Sequence, residues 1–466
     1  MTNATIFIFG GTGDLSKKKL LPSLYHLYKD KRLSTCSPII ALGRGNLTKK
    51  EFLDKVRFEK YIDNADKKIL KEFKELINYQ QINFKAKNQE YLKKDYEKIR
   101  KTYTCGENKI FYLSLPASRF ADVTKILKQS KLLRGEGFNR VAFEKPFGYD
   151  TKSAKELNDV VTKVFEEKDV FRIDHYLGKD LIQNLSVLKF ANPIFHEVWN
   201  KEYVEKIEIN FSEHIGIEER AEYYDNSGAL RDVMQNHILQ VLGLLCMKLP
   251  ETYEGKQINK AKYEVIKNLE LPKKEDIILG QYQKGVVNQK KVKGYLDEEG
   301  VKKNSTTETY ACVKTSINNE EWRGVPIYLT TGKRLEKTHS EIKITLKKTK
   351  HKLFKEENHN VLTITMKPKQ GIDLVFNGRK PQHDFEITNF EFNLEQQNMY
   401  EGNTPKAYEV VFDNILRNNK DLFIPWNIIK ESWEFIDYIY SVVDEKNYCP
   451  YPAGSSSNQI IKKHYN

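Results

Sequence analysis

At 466 residues the chain is longer than one hydrophobic core serves, so two or three domains are expected. Hydrophobic residues at 39% support folded cores, while a mean hydropathy of −0.64 and the lack of a long apolar run exclude a membrane-spanning helix. The net charge of +13 comes from 77 basic and 64 acidic side chains interleaved along the whole chain, which reads as a solvated lysine-rich surface rather than a nucleic-acid interface, with a field suited to recruiting a phosphorylated ligand.

In chain order, Thr5–Phe9 is a short apolar run that predicts a buried strand. Gly10-Gly-Thr-Gly13 follows, with Asp14 as the expected N-cap of a helical segment reaching about Asp30, which Pro22 should kink or restart. A second strand is expected over residues 38–42, helices over 51–100, and further strands over 109–115 and 141–143. Strands alternating with helices predict a parallel, doubly wound sheet. Past residue 180 the pattern changes to strands at 205–212, 341–347, 361–366, 372–376 and 386–393, with helices returning at 408–417 and 425–442. The fold expected is therefore α/β: a Rossmann-like dinucleotide-binding domain over 1–177, then an α+β domain over 178–466 with a large, mainly antiparallel sheet. The Lys- and Glu-rich stretch 250–310 is the expected place for an exposed excursion.

The glycine turn fits two readings, a simple tight turn and a cradle in which backbone approaches a pyrophosphate at a helix N-terminus. Strand before and helix after favour the cradle, with Gly10, Gly11, Thr12, Gly13, Asp14 and Leu15 as candidate cofactor contacts. The second strand ends Leu42-Gly43-Arg44 with no acid placed for a ribose hydroxyl. Arg44 suits a 2′-phosphate, hence NADP with NAD as a weaker alternative, although a solvated loop arginine fits the same position. Glu144-Lys-Pro-Phe-Gly148 follows a strand end, where Lys145 can reach a ligand; a loop salt bridge from Glu144 is the plain alternative.

Two blocks are dense in chemistry. Arg172-Ile-Asp-His-Tyr-Leu-Gly-Lys-Asp180 holds His175 and Lys179, suited to a phosphate, and Asp174, suited to orienting a base or binding a sugar hydroxyl. In Gly228–His237, Asp232 and Asn236 lie four apart on one expected helix face, and His237 stands where the helix enters an apolar run. His237 fits a general base, and a buried structural histidine fits the position as well; two separate blocks bearing Asp and His favour the base. The five cysteines are scattered without a CxxC pair, which argues for reduced thiols. Met1-Thr-Asn-Ala-Thr carries no secretory signal, so a cytoplasmic location is expected.

The stretches Gly10–Leu20, Tyr112–Pro116, Glu144–Gly148, Arg172–Lys179, Tyr223–His237, Gly332–Arg334 and Tyr451–Ser455 resemble the glucose-6-phosphate dehydrogenase family along essentially the whole chain. The resemblance implies oxidation of glucose 6-phosphate at C1, with hydride transfer to NADP, as the first step of the oxidative pentose phosphate pathway. It implies His237 as base and Asp174 as its orienting partner. His175, Tyr176 and Lys179 would bind the phosphate, Lys145, Glu213 and Asp232 the sugar hydroxyls, and Lys333 would add charge. It also implies a homodimer or homotetramer acting on a small phosphosugar, with no nucleic-acid, membrane or metal partner. Three positions depart from the family pattern: Thr338, between Lys337 and His339, replaces a usual cation; Glu218–Glu222 replaces glycines; and Asp180 replaces the commoner glutamate.

Overall fold

The computed structural model describes residues 3–84, 90–103, 106–174, 176–177, 180–351, 353–354, 357–381, 386–395 and 407–465. Contacts divide the chain into two compact units. One comprises Met1–Lys179, Glu251–Asn259 and Pro405–Lys430; the other comprises Asp180–Pro250, Lys260–Thr404 and Glu431–Asn466. Two stretches expected in the second domain, around residues 251–259 and 405–430, thus pack with the first unit.

In the first unit the described strands β1 (Thr5–Phe9), β2 (Ile39–Gly43), β3 (Ile77–Gln81), β4 (Lys109–Leu113), β5 (Asn139–Glu144) and β6 (Val170–Ile173) form one parallel sheet in the order β3-β2-β1-β4-β5-β6. β1, β2 and β4 are buried along their full length, which is why each reads as an apolar run apart from Thr5 and Lys109 at the starts of β1 and β4. The strand order reverses between β1 and β4, the position at which sheets of this kind open a ligand crevice beyond their C-terminal ends.

β3 lies inside the segment expected to be helical throughout, between the helices Lys67–Leu76 and Glu90–Tyr103. It is an edge strand of sequence INYQQ, only partly buried, so it carries no apolar run for sequence reading to find. The helix Ala407–Arg417 joins this unit's core through Val411, Phe412 and Ile415. Its C-terminal carbonyls are capped by buried Arg140, which donates to Ile415 O at 2.7 Å and Leu416 O at 3.0 Å.

The second unit contains β7 (Val204–Ser212), β8 (Ile277–Gly280), β12 (Tyr310–Thr315), β13 (Ile327–Gly332), β14 (His339–Leu346), β15 (Val361–Lys367), β16 (Gly371–Arg379) and β17 (Ile387–Glu395) in one sheet. Short pairs are made by β9 (Tyr282–Gln283) with β18 (Tyr451–Pro452) and by β10 (Gly285–Val287) with β11 (Lys290–Val292). The large sheet runs β17-β16-β15-β14-β7-β13-β12-β8, antiparallel except where β7 pairs with β13. The stretch expected as an exposed excursion supplies fully buried β8, whose short apolar run is masked by charged flanks. No helix among the described residues is long and apolar enough to cross a membrane.

Candidate active site

The glycine turn stands at the C-terminal end of β1. Gly10 N and Gly11 N both donate to Leu42 O, at 3.0 and 2.9 Å. Gly10 has φ +85°, and a Cβ there would lie 2.2 Å from Ser114 O; one on Gly11 would lie 2.7 Å from the Ala41 Cβ. Only glycine lets this backbone pass between the neighbouring strand ends. Asp14 is not the N-cap. It already has helical conformation and pairs with Lys18 at 2.7 Å and Lys17 at 3.4 Å, while Gly13 O accepts the first helical bond from Lys17 N. Ser16–Leu20 winds as a π-helix, and the α-helix Leu21–Lys29 restarts with Pro22 in its first turn, where a missing N–H costs nothing. Thr12, Leu15 and the three glycines therefore line a strand–turn–helix cradle at the reversal of strand order, and these residues fit a dinucleotide pyrophosphate. Arg44 is exposed immediately past β2, and its carbonyl accepts from Gln81 Nε2 at 3.0 Å, which fixes the backbone and leaves the guanidinium at the surface.

The ends of β4, β5 and β6 carry the next group. Glu144 closes β5, and its enclosed carboxylate accepts from the Tyr112 hydroxyl at 2.6 Å and also bonds Tyr408. Burial pushes its pKa up to about 7; the two tyrosine hydrogen bonds oppose this, nearby Asp174 adds to it, and Lys145 counters it. Lys145 follows directly and is half-buried. Asp174, 2% exposed, accepts from Tyr176 N at 2.9 Å, so the turn after β6 organises its carboxylate. Arg172 turns away from this group. It is 3% exposed and grips Glu167 with two hydrogen bonds of 2.6 and 2.8 Å, so this cation of the block has a structural task. His175 and Lys179 lie outside the described residues.

The second unit carries the other group. Leu230–Ile238 is a π-helix, not the α-helix expected; Asn236 Nδ2 reaches back five residues to Arg231 O at 2.9 Å. Asp232 receives the Tyr223 hydroxyl at 3.1 Å. Gly228, with φ +67°, starts the turn, because a Cβ there would lie 2.3 Å from Glu308 Oε1. That same oxygen accepts from Leu230 N at 3.1 Å and the Tyr440 hydroxyl at 2.8 Å. His237 is 3% exposed within this winding, and the α-helix Leu239–Cys246 continues fully buried, as expected. At the ends of β7 and β13, Lys333 pairs with Glu213 at 2.6 Å and lies 5.2 Å from the Tyr224 ring. Burial, then the charge of Asp232, raise the Tyr224 pKa well above the ordinary phenol value, which keeps the phenol protonated.

The departures noted in the sequence acquire partners here. Thr338 Oγ1 meets His214 Nδ1 at 2.6 Å, His339 pairs with Glu341 at 2.6 Å, and Lys337 is exposed. Glu218, with φ +49°, lies 3.8 Å from Arg334, which also contacts Glu298 at 3.3 Å; Arg220 stacks 5.0 Å from the Tyr223 ring.

The family model for the glucose-6-phosphate dehydrogenase NAD binding domain matches residues 7–184, and that for the glucose-6-phosphate dehydrogenase C-terminal domain matches residues 186–465. The chain belongs to the glucose-6-phosphate dehydrogenase family. It is 36% identical to the glucose-6-phosphate 1-dehydrogenase of Streptococcus pneumoniae over 463 residues, covering 97% of this chain and 93% of that one. It is 37% identical to that of Aggregatibacter actinomycetemcomitans over 447 residues, 94% of this chain and 90% of the relative. Its fold is similar to a solved glucose-6-phosphate dehydrogenase in complex with its substrate glucose 6-phosphate, with a TM-score of 0.92, 33% identity and coverage of 99% and 98%. The enzyme of Mycobacterium avium is similar with a TM-score of 0.82 at 28% identity, covering 97% of this chain and 95% of that chain.

Within this family member, sequence reading missed the tyrosines. Tyr223 and Tyr224 stood in a block already singled out and meet Asp232 and Lys333. Tyr112 stood in a strand that also carries the family resemblance but was given no role, and nothing in the sequence tied distant Tyr408 to Glu144. Beside the loop salt bridge considered for Glu144, these hydroxyl bonds hold its carboxylate.

Proposed function

We propose that this chain oxidises glucose 6-phosphate at C1 to 6-phosphogluconolactone, transferring a hydride to NADP. The observation that carries the reading is the buried His237, wound in the same π-helix as Asp232, which receives the Tyr223 hydroxyl, in a member of this family. His237 takes the proton from the C1 hydroxyl; imidazole has the affinity for that task near neutral pH. Asp174 orients the imidazole and stabilises its cation. Lys145, Glu213 and Asp232 hold the sugar hydroxyls, Lys333 adds positive charge, and Tyr176 joins His175 and Lys179 on the phosphate. The turn formed by Gly10, Gly11, Thr12 and Gly13, with Asp14 and Leu15, holds the dinucleotide, and Arg44 pairs its 2′-phosphate. The nicotinamide, when bound, supplies the hydride acceptor. The role of the protein is to align the donor carbon and remove the proton as the hydride leaves.

The same reading places the chain in the cytoplasm as a homodimer or homotetramer. Phe390, Phe392 and Leu394 alternate along β17 at 47%, 56% and 49% exposure, an apolar stripe suited to a second copy. Initial rates with glucose 6-phosphate and free glucose, each with NADP and NAD, test the activity. Lactone formation from the phosphosugar with NADP is expected, and no turnover with either cofactor would overturn it.

A further inference from the structure

The π-helix Leu230–Ile238 carries both Asp232 and His237, and its first turn is held from outside the helix. Gly228 breaks the helix before it, and amides at a fresh helix start have no partner within the helix. Two consecutive ones end on a single residue, Glu308. Ala229 N donates to Glu308 O at 3.0 Å, and Leu230 N donates to Glu308 Oε1 at 3.1 Å. Oε1 also accepts the Tyr440 hydroxyl at 2.8 Å, from the helix Trp426–Val442. The Tyr440 ring centre lies 4.1 Å from the Arg231 guanidinium, so the same pair holds the next residue of the turn as well. Glu308, Tyr440 and the whole π-helix belong to the second unit. Capping alone does not call for this arrangement: a serine or asparagine satisfies such amides without burying a charge, whereas Glu308 is 3% exposed. The carboxylate adds a joint, gripping the backbone of the turn and a second helix with one oxygen. Asp232 follows Arg231 directly, and Asn236, next to His237, bonds back to Arg231 O at 2.9 Å. A rotation at Leu230 and Arg231 is thereby carried to both site residues.

We propose that Glu308 is a positioning residue: joined to Tyr440, it fixes the rotation of the π-helix and so the directions in which Asp232 and His237 present their side chains to the sugar. This deepens the roles given to Asp232 and His237 above and rests on them. Loss of the joint leaves both side chains in the protein but misaims them, and a small misplacement of a base lowers turnover steeply.

The test joins a kinetic and a spectroscopic readout on the full-length chain. Glu308→Leu removes the joint, and Tyr440→Phe removes a single hydroxyl, so that a folded variant is available if the first does not fold. With glucose 6-phosphate as substrate, kcat should fall about tenfold or more in Glu308→Leu and about threefold in Tyr440→Phe. KM for NADP, which is held by the glycine turn of the first unit, should stay within about twofold in both. The imidazole NMR signals of His237, assigned by their absence in His237→Asn, should move in both variants. A Tyr440→Phe chain with wild-type kcat and unmoved His237 signals overturns the proposal. So does a loss of turnover accompanied by an equal loss of NADP affinity, which marks general damage to the fold. A wild-type chain inactive on glucose 6-phosphate defeats the activity reading instead, and the His237 signals still decide whether the joint sets the ring.

Discussion

At the scale of single residues, the sequence supplied the chemistry and the fold supplied its partners. His237 was legible because it ends a polar block at the mouth of an apolar helix; its burial at 3% adds that solvent does not reach it freely. Replacing His237 with Asn should lower kcat by about 10²–10⁴-fold while substrate affinity, read by ligand titration, changes little. Arg44 was singled out from the missing acid at the end of β2; it is exposed there, as both the proposed 2′-phosphate contact and a solvated loop arginine require. Arg44→Ala should therefore reduce the kcat/KM preference for NADP over NAD by about tenfold, the size of a charge-assisted hydrogen bond; an unchanged ratio would remove the assignment. Arg172 shows the limit of reading by proximity. It sits in the densest block of the chain, yet its two bonds to Glu167 make it part of the scaffold. Arg172→Ala should cost about 1–3 kcal/mol in denaturant unfolding and leave KM for the phosphosugar nearly unchanged.

At the scale of elements, strands buried on both sides announced themselves, and those half-covered or flanked by charge did not. β1, β2 and β4 are apolar runs, after Thr5 and Lys109 at the starts of β1 and β4, because no face meets water. β3 was missed because an edge strand tolerates Asn and Gln. The π-helix holding His237 was invisible as well, since i→i+5 winding arises from what the turn packs against, here Glu308 at the Leu230 amide. Gly228→Ala tests that dependence. The new Cβ would meet Glu308 at a positive φ, so a loss of about 2 kcal/mol or more in stability, with a fall in kcat, is expected from unfolding and rate measurements.

Lys420 ties the inserted segment 405–430 to the parallel sheet, donating to Val170 O at 2.7 Å over the Phe171 ring at 3.2 Å. Burial lowers its pKa to about 7, below the range of an unfolded lysine. Between those two values the unfolded chain binds more protons than the folded one, so this residue makes stability rise with pH there, and its penalty is fully present below about pH 7. Lys420→Met should remove that part of the slope, measurable as a smaller gain in Tm between about pH 7 and pH 9 than in the wild-type chain.

At the scale of the whole molecule, a net charge of +13 suits capture of an anionic sugar phosphate, so kcat/KM should fall with added salt more steeply for glucose 6-phosphate than kcat does. By itself the sequence determined the fold class, the parallel and antiparallel regimes and the glycine turn between strand and helix, and it singled out the two histidine-bearing blocks. Those features rest on periodicity, on backbone freedom or on dense local chemistry, all of which are written along the chain. Tertiary structure alone decided that residues 405–430 complete the first unit, that Thr338 meets His214, and that two tyrosines nearly three hundred positions apart share the carboxylate of Glu144. The reason is physical: a hydrogen bond or a shared burial links groups by their distance in space, and separation along the chain carries no record of it.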